Sequence, residues 1–158
     1  MIELRKIDED NWREVAALKV HDEQKNFVAD NMYSLAESYV ELLAWDMPPI
    51  VFGIYNEDTP VGFVKLEYEA DGHEELCNAP FYWMSRFMID KSHQGKGFGK
   101  QAMEKVLELI RTQPQGPAKA MCLSYEPKND FARGFYKSFG FEETGHIFGG
   151  ETVAKLVL

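Results

Sequence analysis

Gln94-Gly95-Lys96-Gly97-Phe98-Gly99-Lys100 sets three glycines between an apolar, strand-like run and an amphipathic helix. Glycine has no Cβ and enters positive φ freely, so a turn with glycine at alternate positions lets an anion approach several backbone N–H groups. The positive end of the following helix dipole attracts charge to the same place. The stretch therefore reads as a pyrophosphate cradle. Spacing excludes two other phosphate loops. Gly99 comes too early for the dinucleotide-binding G-x-G-x-x-G, and no opening βα unit precedes it. No Gly-Lys-Ser/Thr follows the spacer that a Walker A loop requires. What remains is Gln-x-x-Gly-x-Gly, past the middle of the chain.

Outward from the turn, residues 82–89 are strand-like on one side. On the other, Ala102, Met103, Val106, Leu107 and Ile110 recur at helical spacing over about 100–111, until Gln113-Pro114-Gln115-Gly116-Pro117 stops the helix. Residues 50–55 and 61–68 are β-rich and separated by Asn56-Glu57-Asp58-Thr59-Pro60, which predicts a hairpin. Ahead of them, Ile2 and Leu4 begin a short strand, and Trp12, Val15, Ala16 and Lys19 follow helical spacing. A second helix is expected over 34–45, with Leu35, Tyr39, Leu42 and Leu43 on one side, ended by Pro48-Pro49. Beyond the turn helix, 120–125 is strand-like, 129–139 helical and 153–158 strand-like. The order β, α, α, three strands, α, β, α and a closing β segment or hairpin predicts a mixed α/β sheet with helices on both faces.

The chain has 158 residues, 45% of them hydrophobic, enough for one sizeable core and a single domain over 1–158. A net charge of −9 argues against a nucleic-acid or anionic-membrane surface and suits a cationic partner. Cys77 and Cys122 lie in different contexts, a polar loop and an apolar run, so neither a disulfide framework nor a metal site is expected, and a reducing cytoplasm fits. No run approaches the ~20 apolar residues of a membrane span.

A second constellation, Asn129 through Ala132, Tyr136 and Gly140-Phe141, follows the turn after one helix and one strand. Together the two motifs resemble the GCN5-related N-acetyltransferase (GNAT) superfamily, in which Gln/Arg-x-x-Gly-x-Gly/Ala binds the acetyl-CoA pyrophosphate and Asn…Ala-x-x-x-Tyr-x-x-x-Gly-Phe follows. The resemblance covers nearly the whole chain. It implies a mostly antiparallel sheet of about six or seven strands, with two parallel strands splayed at the acetyl-CoA site. Gln24, Phe27, Val28 and Ser34, Phe87-Met88-Ile89-Asp90, and Phe148-Gly149-Gly150-Glu151 look more narrowly like bacterial spermine/spermidine N-acetyltransferases. A homodimer is left open, as such enzymes often dimerise.

The same resemblance distributes roles. Gln94, Gly95, Lys96, Gly97, Phe98, Gly99 and Lys100 would receive the pyrophosphate of acetyl-CoA, Phe87, Met88 and Ile89 its pantetheine arm, and Asn129 a further cofactor hydrogen bond beside its N-cap role. Tyr136 would be the general acid, since a phenol with pKa ~10 is protonated at neutral pH and can donate to a departing thiolate. Some polyamine acetyltransferases carry an acidic residue on the strand before the turn, where Ser85 stands here. Glu67 and Glu69 are then left to hold a water or the amine. Glu23, Glu37 and Glu41 supply negative charge for a small cationic amine, with Tyr33, Tyr39 and Trp45 for its methylenes. Glu37 and Glu41, at i and i+4, disfavour each other unless a cation or water intervenes.

Overall fold

The structure is a computed structural model that describes residues 1–158. Its elements follow the order read from the sequence: β1 (Ile2–Lys6), α1 (Trp12–Ala17), α2 (Asn31–Ala44), β2 (Ile50–Asn56), β3 (Thr59–Glu69), β4 (Phe81–Ile89), α3 (Phe98–Arg111), β5 (Ala120–Tyr125), α4 (Asp130–Lys137), β6 (Glu142–Phe148) and β7 (Glu151–Val157). A single 3-10 turn, Asp22–Gln24, interrupts the α1–α2 connection. The strands run β1-β2-β3-β4-β5-β7-β6 in one mixed sheet. Its β1/β2, β2/β3, β5/β7 and β6/β7 pairs are antiparallel, and β4/β5 is parallel. By contact density the chain divides into two compact units, residues 1–66 with 86–112 and residues 67–85 with 113–158.

In the first unit the expected hairpin closes at Glu57, which adopts φ +54°, and Asn56 pairs Thr59 across it. Alternation along β3 buries both of its faces. Phe63 joins Val15, Tyr55 and Met88 in a cluster that Leu18, Val28 and Leu35 complete, so α1 and α2 cover that face. Ile54, Val64 and Leu66 point the other way and are also buried. Helix α3 packs against β1 and buries Ala102, Met103, Val106, Leu107 and Ile110, the spacing read from the sequence.

Helix α2 departs from expectation in two respects. It starts at Asn31, three residues early, because the Asp30 carboxylate accepts from the Met32 N–H at 2.9 Å and caps the helix there. Its apolar residues also do not face the sheet. Asn31, Ser34 and Ser38 are the buried positions, whereas Tyr39, Leu42 and Leu43 are exposed and only Leu35 packs on the core. The polar groups are satisfied internally, Asn31 Nδ2 donating to the Val15 carbonyl at 2.8 Å and Ser38 Oγ to the Ser34 carbonyl at 2.7 Å.

In the second unit β4 and β5 pair in parallel from Phe81↔Ala120 to Met84↔Leu123. β4 continues five residues beyond that ladder and β5 two. Leu76, Phe81, Ala120, Cys122 and Val153 form the local core, with Cys77 and Trp83 packed against it. Cys77, from the polar loop, and Cys122, from the apolar run, meet in this cluster, because the 67–80 loop folds back on the sheet. Burial pushes the Cys122 thiol up to about 12, which keeps it a neutral, apolar filler. No helix is long and apolar enough to cross a membrane, and no group of three or more His, Cys, Asp or Glu is placed to hold a metal.

Candidate active site

The glycine turn lies in the first unit. Gly95 and Gly97 adopt φ +75° and +78°, where an L side chain is strained, and a Cβ on either would meet nothing within 4 Å. Backbone conformation therefore demands glycine here, and the space above the turn is open. Helix α3 begins at Phe98, two residues before the expected start, with Gly97 as its N-cap and no side chain capping it. Its first N–H groups are thus presented outward. Gly99 belongs to the first turn of this helix rather than to the loop.

Gln94 anchors the turn from behind. Its Nε2 donates to the Ile89 carbonyl at 3.0 Å and to Gln24 Oε1 at 2.8 Å, and Gln24 Nε2 donates back to Gln94 Oε1 at 3.2 Å. Lys96 Nζ donates to the Ser92 carbonyl at 2.9 Å, and the exposed Lys100 sits in the first turn of α3. Met88 and Ile89 are buried and Phe87 half-buried. The Met88 side chain belongs to the core cluster and its Sδ lies 3.7 Å from Asn31 Nδ2, which leaves main chain rather than side chain to face a ligand.

Asp90 was read from the sequence only as part of Phe87-Met88-Ile89-Asp90, with no role of its own, although an Asp two residues before Ser92 at a strand end is an Asx-turn signature. Its carboxylate accepts from the Lys19 N–H at 2.8 Å and the Ser92 N–H at 2.9 Å, while its carbonyl accepts from His93 and Gln94. Burial alone would raise this carboxyl; the N–H donors outweigh it and hold it below the usual range.

Lys65 was also missed. It sits on the helix-covered face of β3, 1% exposed, with Nζ 2.7 Å from carboxylate oxygens of both Glu37 and Glu41. Arg86 adds a contact to Glu37 at 3.3 Å and donates to Ser34 Oγ at 3.1 Å. The stacked pair read from α2 thus holds a cation of the chain itself. A lysine alternating with Val61 and Phe63 on an inward-facing strand was the available signal. Glu23 is exposed in the 3-10 turn.

The second unit holds the other candidates. Asn129 caps α4 as expected, its Oδ1 accepting from the Ala132 N–H at 3.1 Å. Tyr136 is held by rings. It stacks on Tyr125 at 6.0 Å and meets Phe135 and Phe141 edge-on at 5.3 and 5.8 Å. Desolvation first, then Glu151 and Tyr125, pushes its phenol well above the ordinary value, so it remains a proton donor. Tyr125 donates to Glu143 at 2.9 Å. Ser85 and Glu67 are half-buried on β4 and β3. Glu69, at the end of β3, is raised by burial and then by the Glu67 charge, which gives it a stronger pull on a proton than an ordinary carboxylate.

A family model, described as "Acetyltransferase (GNAT) family", matches residues 3–141. The chain belongs to that family. It is an acetyl-CoA-dependent N-acetyltransferase. Among curated relatives, the enzyme is 28% identical over 153 residues to a "probable spermine N(1)-acetyltransferase" of Bacillus subtilis subsp. natto, covering 96% of this chain and 95% of that one. It is 27% identical over the same shares to a spermine/spermidine N(1)-acetyltransferase of Bacillus subtilis. Among solved structures it resembles the PaiA N-acetyltransferase of Thermoplasma acidophilum in complex with coenzyme A, with TM-score 0.67, 15% identity, and 100% and 99% of the two chains covered. These findings bear out the resemblance read from the turn and from Asn129, Tyr136 and Gly140-Phe141.

Proposed function

We propose that residues 1–158 form one acetyltransferase domain that acetylates a primary amine of a polyamine, spermine or spermidine, by direct attack in a ternary complex. The observation that carries the choice of acceptor is the full-length similarity to the two curated polyamine acetyltransferases. A net charge of −9 suits a polycationic substrate.

Acetyl-CoA, when bound, supplies a thioester carbonyl for the amine nitrogen and a thiolate leaving group. The open Gly95–Gly97 turn and the uncapped start of α3 fit its pyrophosphate, with Phe98, Gly99 and Lys100 completing the first helical turn. Gln94 and Lys96 fix the turn. The main chain of Phe87, Met88 and Ile89 serves the pantetheine arm, and Asn129 adds a polar contact. As the N–C bond forms and the C–S bond breaks, Tyr136 gives its phenolic proton to the departing sulfur. The proton lost by the amine goes to a carboxylate or through a water chain, with Glu67 and Glu69 on the neighbouring strand placed to hold that water or the amine. Glu23, Glu67 and Ser85 orient the ammonium groups, while Glu37 and Glu41 hold the acceptor helix through Lys65 and Arg86.

The test is thiol release from acetyl-CoA with a panel of spermine, spermidine, free amino acids, a peptide N-terminus and an aminoglycoside. Polyamines are expected to give the highest kcat/KM. Turnover confined to another member of the panel would overturn the acceptor, and tight CoA binding with no turnover would overturn the catalytic reading.

A further inference from the structure

The connection between α1 and α2 has little packing to hold it. No residue from Ala17 to Asp30 is buried, and Leu18, Val20 and Val28 lean only part-way onto the core cluster. Such a segment keeps its place through hydrogen bonds. Those bonds run to the strand end and turn that form the pyrophosphate cradle. The Lys19 N–H donates to the Asp90 carboxylate at 2.8 Å, and the Lys91 N–H donates to the Lys19 carbonyl at 2.8 Å. One point of attachment leaves a chain free to swing. Gln24 supplies the second.

Gln24 and Gln94 face each other, half-buried, as a reciprocal amide pair, Gln94 Nε2 donating to Gln24 Oε1 at 2.8 Å and Gln24 Nε2 to Gln94 Oε1 at 3.2 Å. Each amide is also oriented by a backbone group on its own side. The His21 N–H donates to Gln24 Oε1 at 3.1 Å, closing the 3-10 turn, and Gln94 Nε2 donates to the Ile89 carbonyl at 3.0 Å. A backbone donor thus fixes where Gln24 carries oxygen, and a backbone acceptor fixes where Gln94 carries nitrogen. The two orientations match. A carboxylate or an apolar side chain at either position leaves one of these partners unserved. Gly95 directly follows Gln94, and the exposed Glu23 directly precedes Gln24.

We propose that Gln24 is a positioning residue, whose amide pair with Gln94 sets the Glu23 carboxylate in place against the pyrophosphate turn, so that acetyl-CoA in the turn and an ammonium at Glu23 strengthen each other's binding. This rests on the assignment of Glu23 to the ammonium groups. A phosphate held by the N–H groups beyond Gln94 restrains the turn, and the amide pair passes that restraint to residues 19–24. By linkage, an ammonium held at Glu23 restrains the turn to the same extent. In this role Gln24 acts through Gln94 and touches neither ligand.

Hydrogen exchange with coenzyme A alone tests the coupling without any acceptor. In the wild type, coenzyme A is expected to slow exchange in residues 94–99 and also in 20–26; in Gln24→Leu the protection should be confined to 94–99. Thiol release reads the consequence. Losing the two bonds of the pair, each worth about two- to tenfold in an equilibrium constant, should raise KM for spermidine about tenfold while kcat stays within about threefold. Gln24→Glu keeps the bonds from His21 and Gln94 but sets an oxygen against Gln94 Oε1, and should raise the same KM severalfold even if the leucine variant does not fold. Gln24→Leu/Gln94→Leu should be no worse in spermidine KM than Gln94→Leu, since a pair already broken has no more to lose. Lys25→Gln, which removes the exposed Lys25–Asp22 ion pair from the same turn, should change none of these readings. Protection of 20–26 that survives Gln24→Leu, or a spermidine KM within about twofold of wild type in both Gln24 variants, overturns the proposal. If the amine that turns over is not a polyamine and its KM responds to Gln24→Leu in the same way, the amide pair stands and the polyamine acceptor falls.

Discussion

Replacing Lys65 by methionine tests whether α2 is held to the sheet by charge. Lys65 Nζ sits 2.7 Å from both Glu37 and Glu41, and Arg86 lies 3.3 Å from Glu37. Two cations face two carboxylates, and the substitution leaves one carboxylate in excess. Arg86 still serves Glu37, so the loss concentrates on Glu41, whose side chain is only 12% exposed. Breaking a buried pair from one side costs about 3–5 kcal/mol. With Glu37 retaining its partner, the lower end, about 3 kcal/mol, is expected, equivalent to on the order of 10 °C in Tm for a chain of this size. Lys65→Met/Glu41→Leu removes both ends of the pair and should recover most of the loss, because apolar replacement of a whole buried pair is often neutral. Urea denaturation followed by tryptophan fluorescence at pH 7 is the assay, urea being preferred because guanidinium would screen the charges. A Lys65→Met protein within about 0.5 kcal/mol of wild type, the range of an ordinary surface change, would refute the reasoning. A double variant no more stable than the single would refute it as well.

Three further outcomes are expected. Tyr136→Phe should lower kcat at least about 100-fold while KM for acetyl-CoA stays near wild type, measured by thiol release; full kcat would remove Tyr136 as the acid. Gly97→Ala forces a Cβ onto a residue at φ +78°, costing about 1–2 kcal/mol, and should raise KM for acetyl-CoA severalfold with little change in kcat at saturation. Asp90→Asn should cost about 1.5–3 kcal/mol at pH 7 by weakening the charge-assisted N–H bonds that set the turn. Because the folded Asp90 pKa lies below its unfolded value, that stability is complete above the unfolded carboxyl pKa of ~3.9 and is lost as pH falls through the folded one. Wild-type and D90N urea midpoints should therefore differ at pH 7 and converge toward pH 3.

The order of elements was legible because each boundary has a local chemical cause. Pro114 and Gly116 stop α3, the 56–60 run turns the β2–β3 hairpin, and Asn129 starts α4 by capping it. The turn was legible for the same reason, since positive φ at residues 95 and 97 is a property of those residues alone. What local reasoning misplaced was the start of α3. Gly97 accepts the N-cap position, so the helix could begin at Phe98 and take Gly99 into its first turn, although glycine is a poor helix former.

Helix α2 shows where such reasoning ends. Periodicity identifies a helix with two unlike sides, but it assumes that the apolar side is the one that seeks the core. Here the decision rests with Lys65, on a strand 24 or more residues from the carboxylates it binds. A buried ammonium must be paired, and the nearest carboxylates able to do so, Glu37 and Glu41, stand together on the polar side of α2. Once those contacts form, Asn31, Ser34 and Ser38 are carried inward and satisfied by Val15, Arg86 and the helix backbone respectively, and Tyr39, Val40 and Leu43 are carried outward. The lysine in an apolar strand and the apolar stripe on an exposed helix are thus one observation. The cation that turns the helix over is also what leaves its apolar residues exposed.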